Sequence, residues 1–271
     1  MRAIALIATY NEERFIVPCL EHLARHGVEA YLIDNESEDR TVPLARQFLG
    51  RGLVGIETWP RQGVYRWHGL LERKEQLAAT LDADWFLHHD ADEIRLPPHS
   101  GQTLLEALAA ADRQGFNAVN FLELTFVPTR ESPDHDHPDY LRTMRWYYPF
   151  LPSFPHQLKA WKKQPGPVEL AWSGGHLVRF PGLNMDPTSF RMRHYLFLSA
   201  AHALRKYVRK TYDPAEVARG WHQARARLRA EDIALQPEAE LRRYTTDEAL
   251  DLSAPLQRHP LFSRQIPPPA P

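Results

Sequence analysis

The sequence lacks the features that mark several large classes of protein. Among its 271 residues it has one cysteine, Cys19, which excludes a disulfide within the chain. Its 33 basic and 34 acidic residues nearly cancel, so no overall charge recruits nucleic acid or an anionic membrane. No apolar run approaches the roughly 20 residues that a membrane-spanning helix needs. These absences predict no nucleic-acid partner and no membrane span, and any phosphate binding must be local.

The composition indicates a folded protein, and the N-terminal residues bear on its location. Hydrophobic residues make up 43% and charged residues 25% of the chain, which are the proportions of a globular protein. The first residues lead straight into an apolar strand, without the layout of a signal peptide. We therefore expect a cytoplasmic protein, while peripheral contact with a membrane stays open.

Short apolar runs alternate with helical patterns through the first half of the chain. The runs at residues 3–8, 31–33, 54–56 and 85–87 are followed by polar loops, and apolar residues between them recur at the spacing of a helix. This alternation predicts an α/β fold with a mostly parallel sheet flanked by helices.

The clean alternation stops after a long apolar strand that ends at Val127. Further strands are predicted at 157–163 and 169–180, within a second half of α+β character. We therefore predict a core, an extension that is continuous with the core, and a proline-rich tail that we expect to be disordered. These parts are residues 1–127, 128–265 and 266–271.

Polar residues after three of the strands form the candidate site, because ligands bind at the carboxyl ends of the strands in an open α/β sheet. They lie at 9–12, 34–39 and 90–93. In the third set, Asp90 and Asp92 are two carboxylates that can hold Mg or Mn and so stabilise a diphosphate as a leaving group. The alternative is that both residues cap the next turn.

Two further charged residues point to nucleotide binding. Asp34 ends the second strand, where an acid accepts hydrogen bonds from a ribose or a base edge, with helix capping as the alternative. Lys74 interrupts the apolar stripe of its helix, and a cation buried there needs an anionic partner, namely a phosphate, Asp34 or Asp90. The alternative is a side chain that extends along the helix edge to water.

Three motifs together resemble a known enzyme family. They are Ala-Thr-Tyr-Asn-Glu-Glu at 8–13, Leu-Ile-Asp-Asn-Glu-Ser-Glu-Asp-Arg-Thr at 32–41 and His-His-Asp-Ala-Asp-Glu-Ile at 88–94. In this order and spacing, the chain resembles the family 2 glycosyltransferases. The resemblance implies the GT-A fold, a nucleoside-diphosphate-sugar donor of the UDP or GDP type, a divalent metal (Mn or Mg), a glycan or other hydroxyl acceptor, and inversion at the anomeric carbon.

The resemblance also assigns roles by position. Thr9, Tyr10, Asn11 and Glu12 would line the nucleotide pocket, Asp34 would bind the nucleoside, Asp90 the ribose or the metal, and Asp92 the metal. A late histidine that returns to the metal in many relatives corresponds to His194, with an ordinary half-buried histidine as the alternative. One departure is Asn35-Glu36-Ser37, because glycine is common at the position of Glu36.

An inverting transfer needs a general base for the acceptor hydroxyl. Glu123 is the candidate because it interrupts an apolar strand, and a purely structural pairing is the alternative. Asp134 and Asp136, in the loop that follows, compete for the role. Paired glycines would let a sugar approach the backbone at Gly175, and His176 would bind a sugar hydroxyl, with a bulge and a packed histidine as the alternative.

Together these patterns predict a metal-assisted, inverting glycosyltransferase with the acceptor side after about residue 128. A nucleotidyltransferase would share the metal and phosphate chemistry but normally carries a Gly-rich, basic loop after the first strand, and a methyltransferase would need a Gly-x-Gly loop there. This chain has Thr-Tyr-Asn-Glu-Glu instead. A catalytically inactive module that binds a nucleotide sugar is the remaining alternative.

Overall fold

The computed structural model describes residues 1–260, which form two compact units. The predicted tail at 266–271 lies outside the described residues. No helix within the described residues has the length and apolar character to cross a membrane. The first unit comprises Met1–Pro60, Trp67–Glu123 and Ser153–His194, and the second Arg61–Arg66, Leu124–Pro152 and the described residues from Tyr195 onward.

Both units are built from short strands and helices. The strands are β1 (Ala3–Thr9), β2 (Glu29–Asp34), β3 (Leu53–Thr58), β4 (Trp85–His89), β5 (Glu93–Leu96), β6 (Ala118–Phe126), β7 (Trp146–Phe150), β8 (Leu158–Lys162), β9 (Phe190–Tyr195) and β10 (Arg242–Arg243). The α-helices are α1 (Ile16–Arg25), α2 (Thr41–Arg46), α3 (Trp67–Thr80), α4 (Leu104–Arg113), α5 (Tyr140–Thr143), α6 (Ala200–Ala203), α7 (Pro214–Ala218) and α8 (Gln223–Ala226). A π-helical turn lies at Leu204–Val208, and 3-10 turns lie at Ala171–Ser173, Ala230–Asp232 and Glu238–Glu240.

Four parallel strands form the centre of the first unit. β1 pairs with β2 on one side and with β4 on the other, and β3 pairs with β2. Ile4, Leu6 and Ile7 of β1 are fully buried, as expected for a parallel strand covered on both faces. β8 continues the sheet antiparallel to β4, and β6 runs antiparallel to β8. The predicted fold, a mostly parallel sheet flanked by helices, is confirmed.

Helix α1 packs the apolar stripe that its spacing predicts. Its buried residues are Ile16, Cys19, Leu20, His22 and Leu23. Burial raises the pKa of the Cys19 thiol, as expected for a packed cysteine. His22 Nε2 lies 2.6 Å from the backbone carbonyl oxygen of Arg95. This contact links α1 to β5 through a buried imidazole.

The segment 169–180 is not the strand that its pattern predicts. A 3-10 turn occupies its middle, followed by Gly174 and Gly175 with φ of 69° and 87°. Glycine adopts these left-handed angles without a steric penalty, and two in succession turn the chain back on itself. The bridge between Glu169 and Arg179 then joins the two arms of a loop.

An aromatic core holds the second unit together. Its buried residues are Val127, Tyr148, Phe150, Leu196, Phe197, Ala203 and Tyr207. β7 and β10 pair antiparallel beside it. Tyr147 and Tyr148 of β7 are 1% and 3% exposed.

His22 makes the stability of the first unit depend on pH. Burial, and then the charge of His26, lower the pKa of His22 from 6.5 to about 3. Between these values the unfolded chain binds a proton that the folded chain does not, so stability is lost as the pH falls through this window. From His22 alone we expect the free energy of unfolding to fall by about 2 kcal/mol between pH 7 and pH 5.

Urea unfolding of the wild type and of His22→Gln at both pH values measures this effect. Between pH 7 and pH 5, the free energy of unfolding of His22→Gln should fall by about 2 kcal/mol less than that of the wild type. His68→Gln serves as the control, because its side chain is 39% exposed, and it should lose as much as the wild type. Equal losses in His22→Gln and the wild type would contradict the expectation.

Candidate active site

The loops after β1 and β2 are tied to each other by hydrogen bonds. Thr9 Oγ1 lies 3.4 Å from Asp34 Oδ1, and Glu12 donates its backbone N–H to Thr41 Oγ1 at 2.7 Å. The pairing of Thr9 with Asp34 in the parallel ladder sets both loops at one edge of the sheet. This edge carries the predicted nucleotide-binding residues Thr9, Tyr10, Asn11, Glu12 and Asp34.

Asp34 closes the turn that follows β2. Its side chain is buried, and Oδ2 accepts a hydrogen bond from the backbone N–H of Ser37 at 3.0 Å. Glu36, at the position where glycine is common in the family the sequence resembles, adopts a φ of 60°. Because L-residues pay a steric cost for left-handed angles, this turn keeps a backbone shape that glycine would favour.

Asp90 lies beside a buried lysine that the sequence analysis did not single out. Lys159 of β8 places its Nζ 3.5 Å from Asp90 Oδ2 and 2.7 Å from Glu93 Oε1. Burial would raise the pKa of Asp90, but the nearby positive charges, that of Lys159 first, hold it well below its usual value. Burial would lower the pKa of Lys159, but Glu93 and Asp90 raise it. Both groups are therefore charged at neutral pH.

Glu93 connects this lysine to a buried arginine. Its Oε2 accepts hydrogen bonds from Arg95 Nη2 at 2.7 Å and from the backbone N–H of Asp90 at 3.3 Å. Burial would raise the pKa of Glu93, but Lys159 and Arg95 lower it. Arg95 and Lys159 each interrupt an apolar strand, which is the same pattern that singled out Glu123. That signal, applied to cations, would have found both.

Lys74 is fully buried, so the alternative of a side chain that extends to water is wrong. Its Nζ lies 2.8 Å from His88 Nδ1 and donates to the carbonyl oxygen of His89 at 3.2 Å. Burial lowers the pKa of Lys74 to about 7, against the opposing charge of Asp90. Contact between Lys74 and a phosphate stays a prediction.

The structure brings Asp92, His194 and Glu123 together. His194 Nε2 lies 3.4 Å from Asp92 Oδ2, and its Nδ1 lies 2.7 Å from Glu123 Oε1. In the antiparallel pair of β5 and β9, His194 stands opposite Glu93. Burial would lower the pKa of His194, but the carboxylates of Asp92 and Glu123 raise it to about 10. The two acids therefore favour a positive charge between them.

The predicted metal residues do not form an all-protein cage. In the part of the chain that the structure describes, no group of three or more His, Cys, Asp or Glu side chains is arranged to hold a metal ion. Asp92 and His194 form a pair, and Asp90 is paired with Lys159. Metal binding by Asp90, Asp92 and His194 stays a prediction.

Gly175 is required by close packing against His88. A Cβ at Gly175 would lie 2.8 Å from His88 Nε2, and its φ of 87° disfavours any L-side chain. The ring of His176 is stacked on that of His156, with the ring centroids 5.0 Å apart. Sugar contacts at Gly175 and His176 stay predictions.

The acids that compete with Glu123 lie in a folded loop of the second unit. Asp134 Oδ1 accepts a hydrogen bond from the backbone N–H of Asp136 at 2.9 Å, and Asp136 forms an ion pair with Arg205. His135 hydrogen-bonds to Thr143 through Nδ1 at 3.0 Å. These contacts explain the cluster as turn residues that stabilise the loop.

A profile of the family described as Glycosyl transferase family 2 matches residues 4–118. Residues 4–118, which make up less than half of the chain, are therefore similar to glycosyl transferase family 2. The family 2 region contains the loops of Thr9, Asp34 and Asp90 and excludes Glu123 and His194. No curated protein matches the sequence.

Several solved structures are distantly similar to the chain. S. aureus TarS 1–349 in complex with UDP has 13% identity and a TM-score of 0.44, over 80% of this chain and 68% of that chain. The same protein in complex with UDP-GlcNAc has 18% identity and a TM-score of 0.34, over 48% of this chain and 35% of that chain. A 4-diphosphocytidyl-2C-methyl-D-erythritol synthase has 20% identity and a TM-score of 0.30, over 51% and 64%. The likeness to glycosyl transferase family 2 therefore rests on the profile.

Loss of the Lys159 ammonium should destabilise the chain strongly. Lys159→Met leaves the buried Glu93 with Arg95 but without Lys159, and breaking a buried pair from one side costs about 3 kcal/mol or more. Lys162 on the same strand pairs with Asp112 and is 46% exposed, so Lys162→Met should cost less than about 1 kcal/mol. Urea unfolding of both variants measures the two costs, and equal costs would contradict a buried ion cluster.

Proposed function

We propose that the chain is an inverting glycosyltransferase that moves a sugar from a nucleoside diphosphate to a hydroxyl acceptor with the help of a divalent cation. The observation that carries the proposal is the pairing of Asp92 with His194 beyond the end of β4. β4 is the neighbour of β1 in the sheet, and both strands lie in the region that matches glycosyl transferase family 2. Diphosphate and cation would therefore meet at the edge that carries the nucleotide-binding loops.

Asp92 and His194 have the spacing of two ligands of one cation. Their atoms Oδ2 and Nε2 are 3.4 Å apart, and two ligands that each lie roughly 2.1 Å from one ion are about 3 to 3.5 Å apart. Mg and similar hard cations are usually bound by one or two protein ligands together with substrate phosphates. The residues therefore fit a Mn or Mg ion, which would neutralise the charge that develops on the departing diphosphate.

The remaining residues of the edge hold the nucleotide in this proposal. Asp90 is kept ionised beside Lys159 and is 33% exposed at its side chain, so it can accept hydrogen bonds from a ribose or bind the cation. Asp34 and the loop from Thr9 to Glu12 lie at the ends of the adjacent strands and would bind the nucleoside. The general base and the acceptor-binding residues remain sequence predictions.

Turnover separates this proposal from its alternatives. With Mn²⁺ and a panel of UDP- and GDP-sugars, the protein should release UDP or GDP by slow hydrolysis, and faster when a suitable hydroxyl acceptor is present. Binding without release would indicate an inactive module. Formation of pyrophosphate from UTP and a sugar 1-phosphate, without release of UDP from any sugar nucleotide, would contradict the proposal in favour of a nucleotidyltransferase.

Nucleotide binding should depend on both the metal and Asp92. A hundredfold excess of UDP or GDP over Kd, with Mn²⁺, should raise the Tm by roughly 5 to 10 °C, and EDTA should abolish the increase. Asp92→Asn should lose the metal-dependent part of this increase in Tm. The increase is measured against the Tm of the same variant without ligand. Asp112→Asn, at an acid that pairs with Lys162 on the surface, is the matched control and should keep the shift. A full shift in Asp92→Asn would remove Asp92 from the metal site.

A further inference from the structure

We propose that Glu123 is a positioning residue that orients His194 toward the cation. The role rests on the proposed function, because it acts on a ligand of the proposed metal site. It differs from the general-base role that the sequence predicts for Glu123. As a general base Glu123 would touch the acceptor itself, whereas as a positioning residue it acts through His194.

The two nitrogens of His194 face different partners. Nδ1 is 2.7 Å from Glu123 Oε1, and Nε2 is 3.4 Å from Asp92 Oδ2. Without a metal the two acids favour a protonated ring, and a bound cation would take the place of the Nε2 proton. An Nδ1–H donated to Glu123 would then leave the Nε2 lone pair for the cation, on the side of Asp92. Histidine ligands of metals are commonly held by such a carboxylate on the far nitrogen, which fixes both the tautomer and the ring orientation.

The carboxylate of Glu123 is itself held from both sides. Oε1 faces His194, and Oε2 accepts a hydrogen bond from Gln157 Nε2 at 2.7 Å. Glu123 is 3% and Gln157 is 3% exposed, so both side chains are buried. Each oxygen of Glu123 thus contacts a protein group, which favours a supporting role over direct contact with an acceptor hydroxyl.

The strands provide the support that a positioning role requires. Phe121 of β6 donates its backbone N–H to the carbonyl oxygen of Gln157 at 3.0 Å, which links β6 to the segment before β8. His194 is fixed opposite Glu93 by the pairing of β9 with β5. The backbone thus sets the place of the histidine, and Glu123 sets the rotation of its ring.

Titration of the full chain with Mn²⁺ alone, followed by the EPR signal of free Mn²⁺, tests the proposal directly. Glu123→Gln should weaken Mn²⁺ binding about tenfold and Glu123→Ala up to about a hundredfold, which is the usual range for the loss of such a partner. Gln157→Leu should weaken it severalfold, and it provides a second variant if the Glu123 variants fail to fold. Glu57→Gln removes an equal charge from the pair with Arg73 and should leave the affinity unchanged.

The kinetic constants separate the two roles of Glu123. At saturating Mn²⁺, Glu123→Gln should retain kcat within a few-fold, because the metal then compensates for the weaker site. Loss of a general base would lower kcat by roughly 10² to 10⁴ at any Mn²⁺ concentration. If Glu123→Gln binds Mn²⁺ as tightly as the wild type but shows such a loss of kcat, the proposal is overturned and the proposed function is left intact.

A different result would count against the metal site as a whole. If the wild type, Asp92→Asn and Glu123→Gln all bind Mn²⁺ with the same affinity, then Asp92 does not hold the cation and Glu123 does not act on a ligand of it. That outcome would overturn this inference together with the metal-dependent part of the proposed function. Weaker binding by Asp92→Asn and Glu123→Gln, but not by Glu57→Gln, would support both.

Discussion

The site depends on the compensation of buried carboxylates at the end of β4. Asp92, Glu93 and Glu123 are each less than 10% exposed, and a carboxylate removed from water is stable only when a cation or several donors face it. Lys159 and Arg95 serve Glu93, and His194 lies between Asp92 and Glu123. Without these pairings the acids would take up protons or leave the interior, and the edge of the sheet would lose its charge pattern.

The pairings divide the buried acids into two groups, which differ in the kind of positive charge that faces them. Lys159 and Arg95 pair with Glu93 without the help of a ligand. The turn from Asp90 to Glu93 is therefore held in place before any ligand binds. The positive charge between Asp92 and Glu123 is supplied by an imidazole, which can exchange a proton for a metal ion. We therefore propose that Glu93, with Lys159 and Arg95, is scaffold, and that Asp92 and His194 are where a cation would bind.

The sequence predicted the parts of the molecule that follow from local patterns. Apolar runs that end in polar loops located β1, β2 and β4, and the rule that parallel strands share a carboxyl edge brought Asp34 and the loop of Thr9 together. The apolar stripe of α3 marked Lys74 as either buried or extended along the helix edge to water, and the structure shows it buried. Each of these inferences needs only neighbours along the chain and one general rule of sheet topology.

Contacts between distant segments were beyond such patterns. Lys159 reaches Asp90 because β8 inserts antiparallel between β4 and β6, and no local periodicity encodes that order. The segment 169–180 has the residues of a strand, but Gly174 and Gly175 turn it into a loop whose packing on His88 decides its shape. Similarly, Glu123 was recognised as an unusual acid, while its partners His194 and Gln157 became known only from the fold.

The position of the cation is the central claim, and diffraction can locate it. Crystals of the full chain grown with UDP or GDP and Mn²⁺ should give one strong anomalous peak within roughly 2.3 Å of both an Asp92 carboxylate oxygen and His194 Nε2, and in contact with the diphosphate. His194 Nδ1 should still face Glu123 in that structure. An ordered diphosphate with no anomalous peak at Asp92, or a peak held by other residues, would contradict the account.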